Sequence, residues 1–223
     1  MDLLYYNLDK SVEAFTTRKE FILPYYVIQP HQTHGDNIAI IQDKNTGRDE
    51  LFGIDALITN LINCPIAVRT ADCVPILLFD PINKVVAAIH SGWRGTVKMI
   101  SAKVIRCMRS HFGTRSEDLK AIIGPSIGPE SFKVHKDVID AFCTTKFPMD
   151  IISKQADKAT YYVDLWSANK WILEQEGLKS SNIQIVGICT YMQHDEFYSA
   201  RYEKNNKCGR NINVIRIKTD EHY

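Results

Sequence analysis

Residues 68–96, VRTADCVPILLFDPINKVVAAIHSGWRGT, decide how the chain is read. They contain two short apolar, partly β-branched runs, VPILLFD (residues 74–80) and VVAAIH (residues 85–90). Pro81, Ile82, Asn83 and Lys84 lie between them and supply a tight turn. With that turn, Asp80 pairs with Val85, Pro75 with His90, and Cys73 stands opposite Gly92. Side chains alternate along a strand, so positions 73 and 75 share a face. Cys73 and His90 then become diagonal neighbours, roughly 7–8 Å apart at the backbone. Metal–ligand bonds of about 2.0–2.3 Å allow one zinc ion to bridge that gap. The pattern alone leaves other readings open. A cysteine at a strand start is often a small buried hydrophobe. The pair also suits a nucleophilic thiol with a histidine base.

Working outward, residues 95–112 carry Val97, Ile100, Val104, Ile105 and Met108 at helical spacing and are expected to form one amphipathic helix. Its start, HSGWRG, combines glycines, free N–H groups and Arg94, a combination suited to an anion. Upstream, strands are expected at 12–18, 25–29, 37–43, 52–60 and 64–70, with a Pro- and Gly-marked loop, residues 29–36 (QPHQTHGD), between the second and third. Downstream, a strand at 119–123 precedes turns at Gly124-Pro125 and Gly128-Pro129, and residues 135–142 read as a helix. Residues 163–176 form a second clear helix, capped by Asp164 and stopped by Gly177. A strand at 183–190, a polar aromatic loop at 193–209 and a closing strand at 211–218 complete one mixed α/β domain spanning 1–223.

Composition narrows the function. The 223 residues are 45% hydrophobic and 24% charged with a net charge of +1, which suits a globular chain with a substantial core. No basic run points to nucleic acid, and no apolar stretch approaches the roughly 18 residues of a membrane span. The first residues lack a basic, apolar leader, and the six cysteines form no CxxC pair, so reduced thiols and a cytoplasmic location are expected.

Several blocks carry a resemblance. QTHG (32–35), DALITN (55–60), RTADCVPILLFDP (69–81), AIHSGWRGT (88–96), IGPSIGPESFKV (123–134) and the ending FYSARY…GRN…VIRI are similar to the YfiH family. That family is also called the multicopper polyphenol oxidase or laccase-domain family, and the purine nucleoside phosphorylase family of that fold. The resemblance implies a mixed-sheet α/β (α+β) domain layered α/β/β/α. It implies one metal, usually zinc with copper as the alternative, held by His34, Cys73 and His90, with a fourth position open as in catalytic zinc sites. His31 is then an outer or structural residue.

The implied reaction is phosphorolysis of purine nucleosides (adenosine, inosine, guanosine, methylthioadenosine), with adenosine deamination as a second activity. Arg94 is the expected phosphate holder and Asp72 the expected proton carrier or partner of the metal ligands. The implied substrate contacts map to Arg18 and Arg201. The rim departs from the family pattern: Lys19-Glu20 replaces Gly-Gly after Arg18, Ser126 and Glu130 replace cysteines, and Ala200-Arg201-Tyr202 replaces a tandem arginine. A copper oxidase of phenols is the alternative, but coupled copper centres need many histidines in close His-x-His pairs, and this chain has seven histidines and no such pair. A non-enzymatic zinc-binding module is a third reading. The dedicated deaminase signature with PCxxC is absent.

Overall fold

The computed structural model describes residues 2–204 and 208–219. Thirteen strands follow in chain order: β1 (Leu3–Tyr5), β2 (Val12–Thr17), β3 (Asn37–Ile40), β4 (Ile54–Thr59), β5 (Ile66–Thr70), β6 (Val74–Asp80), β7 (Val85–Ser91), β8 (Lys120–Ile123), β9 (Lys133–His135), β10 (Ser153–Gln155), β11 (Thr160–Val163), β12 (Ile183–Ile185) and β13 (Asn211–Ile217). The helices are α1 (Trp93–Val97), α2 (Ile100–Phe112), α3 (Lys136–Cys143), α4 (Met149–Ile152), α5 (Leu165–Gln175) and α6 (Ala200–Glu203).

The β6–β7 hairpin sits at the centre of a six-stranded sheet ordered β12-β8-β6-β7-β4-β3. Its register is the expected one: Asp80 opposes Val85 and Pro75 opposes His90. Asp80 fixes the turn, because its carboxylate accepts from the backbone N–H of Ile82 (2.9 Å) and Asn83 (3.0 Å). Both faces of this hairpin are buried, and residue parity assigns each side chain to a layer. Val74, Ile76, Leu78, Val85, Ala87 and Ile89 pack with α2 and α5. Leu77, Phe79, Val86 and Ala88 pack instead against Val12, Ala14, Ile66, Val68, Ile215 and Ile217 of a four-stranded sheet ordered β1-β2-β13-β5. The outer face of that second sheet, carrying Phe15, Ala67 and Val214, is covered by Leu23 and Val27. The architecture is thus mixed α/β, as the sequence implied. Cys73 and His90 share the parity of Leu77 and Val86, so the pair belongs to the end of the inter-sheet face.

Several local expectations change. Residues 93–112 are not one helix. Met99 adopts a left-handed φ of 60° and separates α1 from α2. The Thr96 hydroxyl, bonded to the Gly92 carbonyl at 3.1 Å, helps close α1 early. The apolar spacing was nonetheless informative, since Ile100, Val104, Ile105 and Met108 are all buried. Residues 25–29, bracketed by Pro24 and Pro30, form only an isolated bridge from Ile28 to Ile66, because proline cannot donate to a ladder. The small sheet β10-β11-β9 was not anticipated. Its strands span only three or four residues, too few to show a period. The loop at 193–209 contains α6. By contrast, α5 has the expected Asp164 cap, accepting from the Ser167 N–H at 3.0 Å, and the left-handed Gly177. Among the described residues, no helix is long and apolar enough to cross a membrane.

Candidate metal centre and cavity

His34, Cys73 and His90 converge, with their ligand atoms all within 4.8 Å of one another. His90 is buried, Cys73 half-buried and His34 exposed, so the group opens outward. The rings of His34 and His90 meet edge-on with centroids 4.9 Å apart. Sequence reasoning missed the residue that organises them. Asp55, in the DALITN block, is fully buried and accepts from His90 Nδ1 at 2.7 Å. That bond leaves Nε2 free for a metal, the usual carboxylate–histidine–metal arrangement. The same carboxylate accepts the backbone N–H groups of Thr33 (3.2 Å), His34 (3.1 Å) and Gly35 (2.7 Å). It thereby holds His34 in a left-handed conformation (φ 60°) and joins the QTHG loop to the hairpin. Burial works against the Asp55 charge, but His90 and the loop N–H groups outweigh it and keep the carboxyl below its ordinary range.

Two glycines make room. A Cβ on Gly92 would lie 2.8 Å from Cys73 Sγ, and one on Gly35 would lie 3.2 Å from Asp55 Oδ2. Gly92 of HSGWRG therefore makes room for the thiol sulfur. Burial alone would raise the Cys73 thiol, yet His90 and His34 beside it bring it down to about 6. His90 is held up at about 9 because Cys73 and Asp55 outweigh its own burial. A thiolate with two imidazoles is a mixed sulfur–nitrogen donor set of the kind zinc takes. His31 lies outside this group; its ring packs on Phe52 with centroids 4.8 Å apart.

The three donors line a cavity of about 710 Å³. Asp72 is in its wall, with a left-handed φ of 83° that is costly for a non-glycine residue. Its carboxylate accepts from Thr190 Oγ1 (2.8 Å) and from the Arg201 backbone N–H (2.7 Å), so it ties two distant loops to the hairpin. Arg201 also lines the cavity, its guanidinium donating to the Lys133 carbonyl at 2.9 Å and lying over the Phe132 ring. Two other expected residues are not among the cavity-lining ones. Arg94 is exposed and its guanidinium stacks on Trp93, 4.3 Å from the ring centroid, because its position on α1 faces solvent. Arg18 pairs with Glu196 and lies over Phe197. The cations that do line the cavity beside Arg201 are Arg48, Arg69, Lys204 and Arg210. Arg69 stood in the RTADC block but carried no signal of its own. The FYS and GRN blocks prove to be one unit: Asn211 exchanges hydrogen bonds with the Tyr198 backbone (2.9 and 3.0 Å), and the Tyr198 ring occupies the space where a Gly209 Cβ would stand.

Known proteins of similar sequence and fold place the chain in a family. The chain is 39% identical over 202 residues to a purine nucleoside phosphorylase of Bacteroides thetaiotaomicron, covering 87% of this chain and 74% of that one. It is 33% identical to the purine nucleoside phosphorylase YlmD of Bacillus subtilis, covering 84% of this chain and 69% of the relative. It is 36% identical to adenosine deaminase RL5 of an unknown prokaryotic organism, covering 78% and 69%. Bacillus licheniformis YfiH has the same fold, with a TM-score of 0.90 over 97% of both chains at 24% identity. The model of the family described as multi-copper polyphenol oxidoreductase laccase matches residues 10–218, and the chain belongs to that family.

Proposed function

We propose that the protein is a zinc-dependent purine nucleoside phosphorylase acting on adenosine, inosine, guanosine or methylthioadenosine. One observation carries the reading: a His–Cys–His donor set opens into a cavity rich in cations, in a chain 39% identical to a purine nucleoside phosphorylase. In phosphorolysis a phosphate oxygen bonds to the anomeric carbon of the ribose as the bond to the base nitrogen breaks. The electron pair leaves with the base, and the proton of hydrogenphosphate ends on the base. The products are ribose 1-phosphate and the free purine. The transition state resembles an oxocarbenium ion, as in glycoside cleavage.

His34, Cys73 and His90 would hold the zinc, with Asp55 fixing the ring of His90. Bound zinc supplies Lewis-acid polarisation of a coordinated oxygen. Asp72 is the carboxylate in the wall beside the donor set, and with its oxygens accepting from Thr190 and the Arg201 N–H it holds the rim of the cavity in place beside Cys73. Arg201, fixed by Phe132 and the Lys133 carbonyl, contributes a positive edge to the substrate rim. Adenosine deamination is the second reading, favoured by the 36% identity to adenosine deaminase RL5. It would consume water in place of phosphate and release ammonia and inosine.

Product analysis with metal-quantified protein tests both. Adenosine is incubated with and without phosphate, and adenine, ribose 1-phosphate and inosine are separated. Phosphate-dependent adenine supports phosphorolysis. Inosine alone makes the protein a deaminase. Absence of any product with zinc fully loaded would sink both readings and leave the metal-binding module.

A further inference from the structure

The cavity has a strong electrostatic bias. Its lining carries Arg48, Arg69, Arg201, Lys204 and Arg210 against a single carboxylate, Asp72, and that carboxylate is already engaged by Thr190 and the Arg201 N–H. Arg69 is half-buried, and among the described residues its guanidinium makes no hydrogen bond or ion pair. The bonds that fix it run through its backbone: its N–H donates to Gln32 Oε1 and its carbonyl accepts from Gln32 Nε2, both at 2.8 Å. Burial, then the positive charges of Arg48 and Arg210, push the Arg69 guanidinium below its ordinary range, and no carboxylate counters them. Like charges gathered around a half-buried guanidinium repel one another, and an anion among them relieves that cost.

We propose that Arg69, flanked by Arg48 and Arg210, forms the oxyanion subsite that holds inorganic phosphate during the reaction, in place of Arg94. The planar fork of arginine suits the paired oxygens of a phosphate, and three such groups can share one dianion. The placement also couples the anion to the metal. Gln32 clamps Arg69 at one end of the QTHG loop, and His34 is two residues further along it. On the neighbouring strand Arg69 pairs with Ile212, two residues beyond Arg210, so strand register brings the second arginine to the same end of the sheet. Arg48 comes from the turn before Asp49–Leu51.

The inference rests on the phosphorylase reading, and the experiment separates the two. Inorganic phosphate is titrated into the full, metal-loaded protein by calorimetry, and the phosphate KM of adenosine cleavage is measured alongside. Arg69→Gln is expected to raise the phosphate KM at least tenfold and to abolish calorimetric phosphate binding, with adenosine KM and metal content unchanged. Arg48→Ala and Arg210→Ala, both at exposed positions, are expected to raise it several-fold each, with a native far-ultraviolet circular dichroism spectrum as the check that the loss of the Arg210 bonds to the Cys208 and Gly209 carbonyls leaves the fold in place. Added salt is expected to weaken phosphate binding to wild type and to have less effect on Arg69→Gln. Phosphate-dependent cleavage with a phosphate KM indifferent to all three substitutions, or sensitive to Arg94→Ala alone, would overturn the subsite while the phosphorylase reading stands. Phosphate binding that depends on Arg69 in a protein that cleaves no nucleoside would support the subsite and remove the phosphorylase reading.

Discussion

On one side of the cavity, Cys73 and His90 are set by the seven consecutive backbone pairs of the β6–β7 hairpin. The other lining cations, Arg48, Arg201, Lys204 and Arg210, stand on turns and on or beside the short helix α6, in segments far apart in the chain. The first side is buried on both faces of a central sheet, where displacing a ligand would disturb two packed layers. The second is held by a few local devices: the Asp72 carboxylate on the α6 backbone, Asn211 on Tyr198, Gln32 on Arg69. Metal ligation needs fixed distances, and for Cys73 and His90 the sheet would supply them, with Asp55 holding the His34 loop. Substrate recognition tolerates variation and is carried by loops. That division fits the sequence reading, in which the resemblance implies three ligand positions while Lys19, Glu130 and Ala200 on the rim depart from it.

The comparison can be broken most decisively at the sheet. Cys73→Ala is expected to lose bound metal and activity together while the far-ultraviolet circular dichroism stays native. Metal retained at full occupancy, measured by mass spectrometry, would end the ligand assignment. Next in size is Asp55→Asn, which removes the charge fixing His90. A drop of about 10–100-fold in metal affinity is expected, read by competition with a chromogenic chelator. An unchanged affinity would show that the hairpin alone positions the ring.

The loop side is probed by Gly209→Ala, whose new methyl group would collide with the Tyr198 ring. A nucleoside KM raised several-fold with metal content intact is expected; loss of metal instead would mean that the two sides are not separable.

The smallest effect lies away from both. Asp9 accepts from the Ser11 N–H (3.0 Å) and pairs with Lys120 (3.0 Å). The Ser11 N–H, and after it Lys120, outweigh burial and hold its carboxyl at about 2 against an ordinary 3.8. A depressed carboxyl stabilises the fold above its unfolded pKa, and that contribution is lost as pH falls from about 3.8 towards about 2. Asp9→Asn should therefore cost about 1–2 kcal/mol near neutrality, after discounting for solvent. The variant and wild type should converge in denaturant midpoint near pH 2, with metal content equal throughout.

Legibility in the sequence followed the range of the interaction involved. The hairpin, its register and the diagonal placement of Cys73 and His90 could be read because a tight turn and a period of two are local properties. The α5 helix, its Asp164 cap and Gly177 stop were readable for the same reason. His34 was not derivable from spacing. It came through the family resemblance, since its loop is joined to the hairpin by the long-range bonds of Asp55, 21 residues on. Arg94 looked like an anion holder because a glycine-rich helix start is one in many proteins. Here Gly92 accommodates the Cys73 sulfur, and the helix turns Arg94 to solvent.

The sequence by itself determined how Cys73 and His90 would be spaced, because strand pairing across a short turn leaves little freedom. Tertiary structure alone decided that Asp55 would orient His90, that Asp72 would bind the start of α6, and that Arg69, Arg48 and Arg210 would share one cavity. Those contacts join segments with no common period, and only the packing of two sheets against each other brings them within reach.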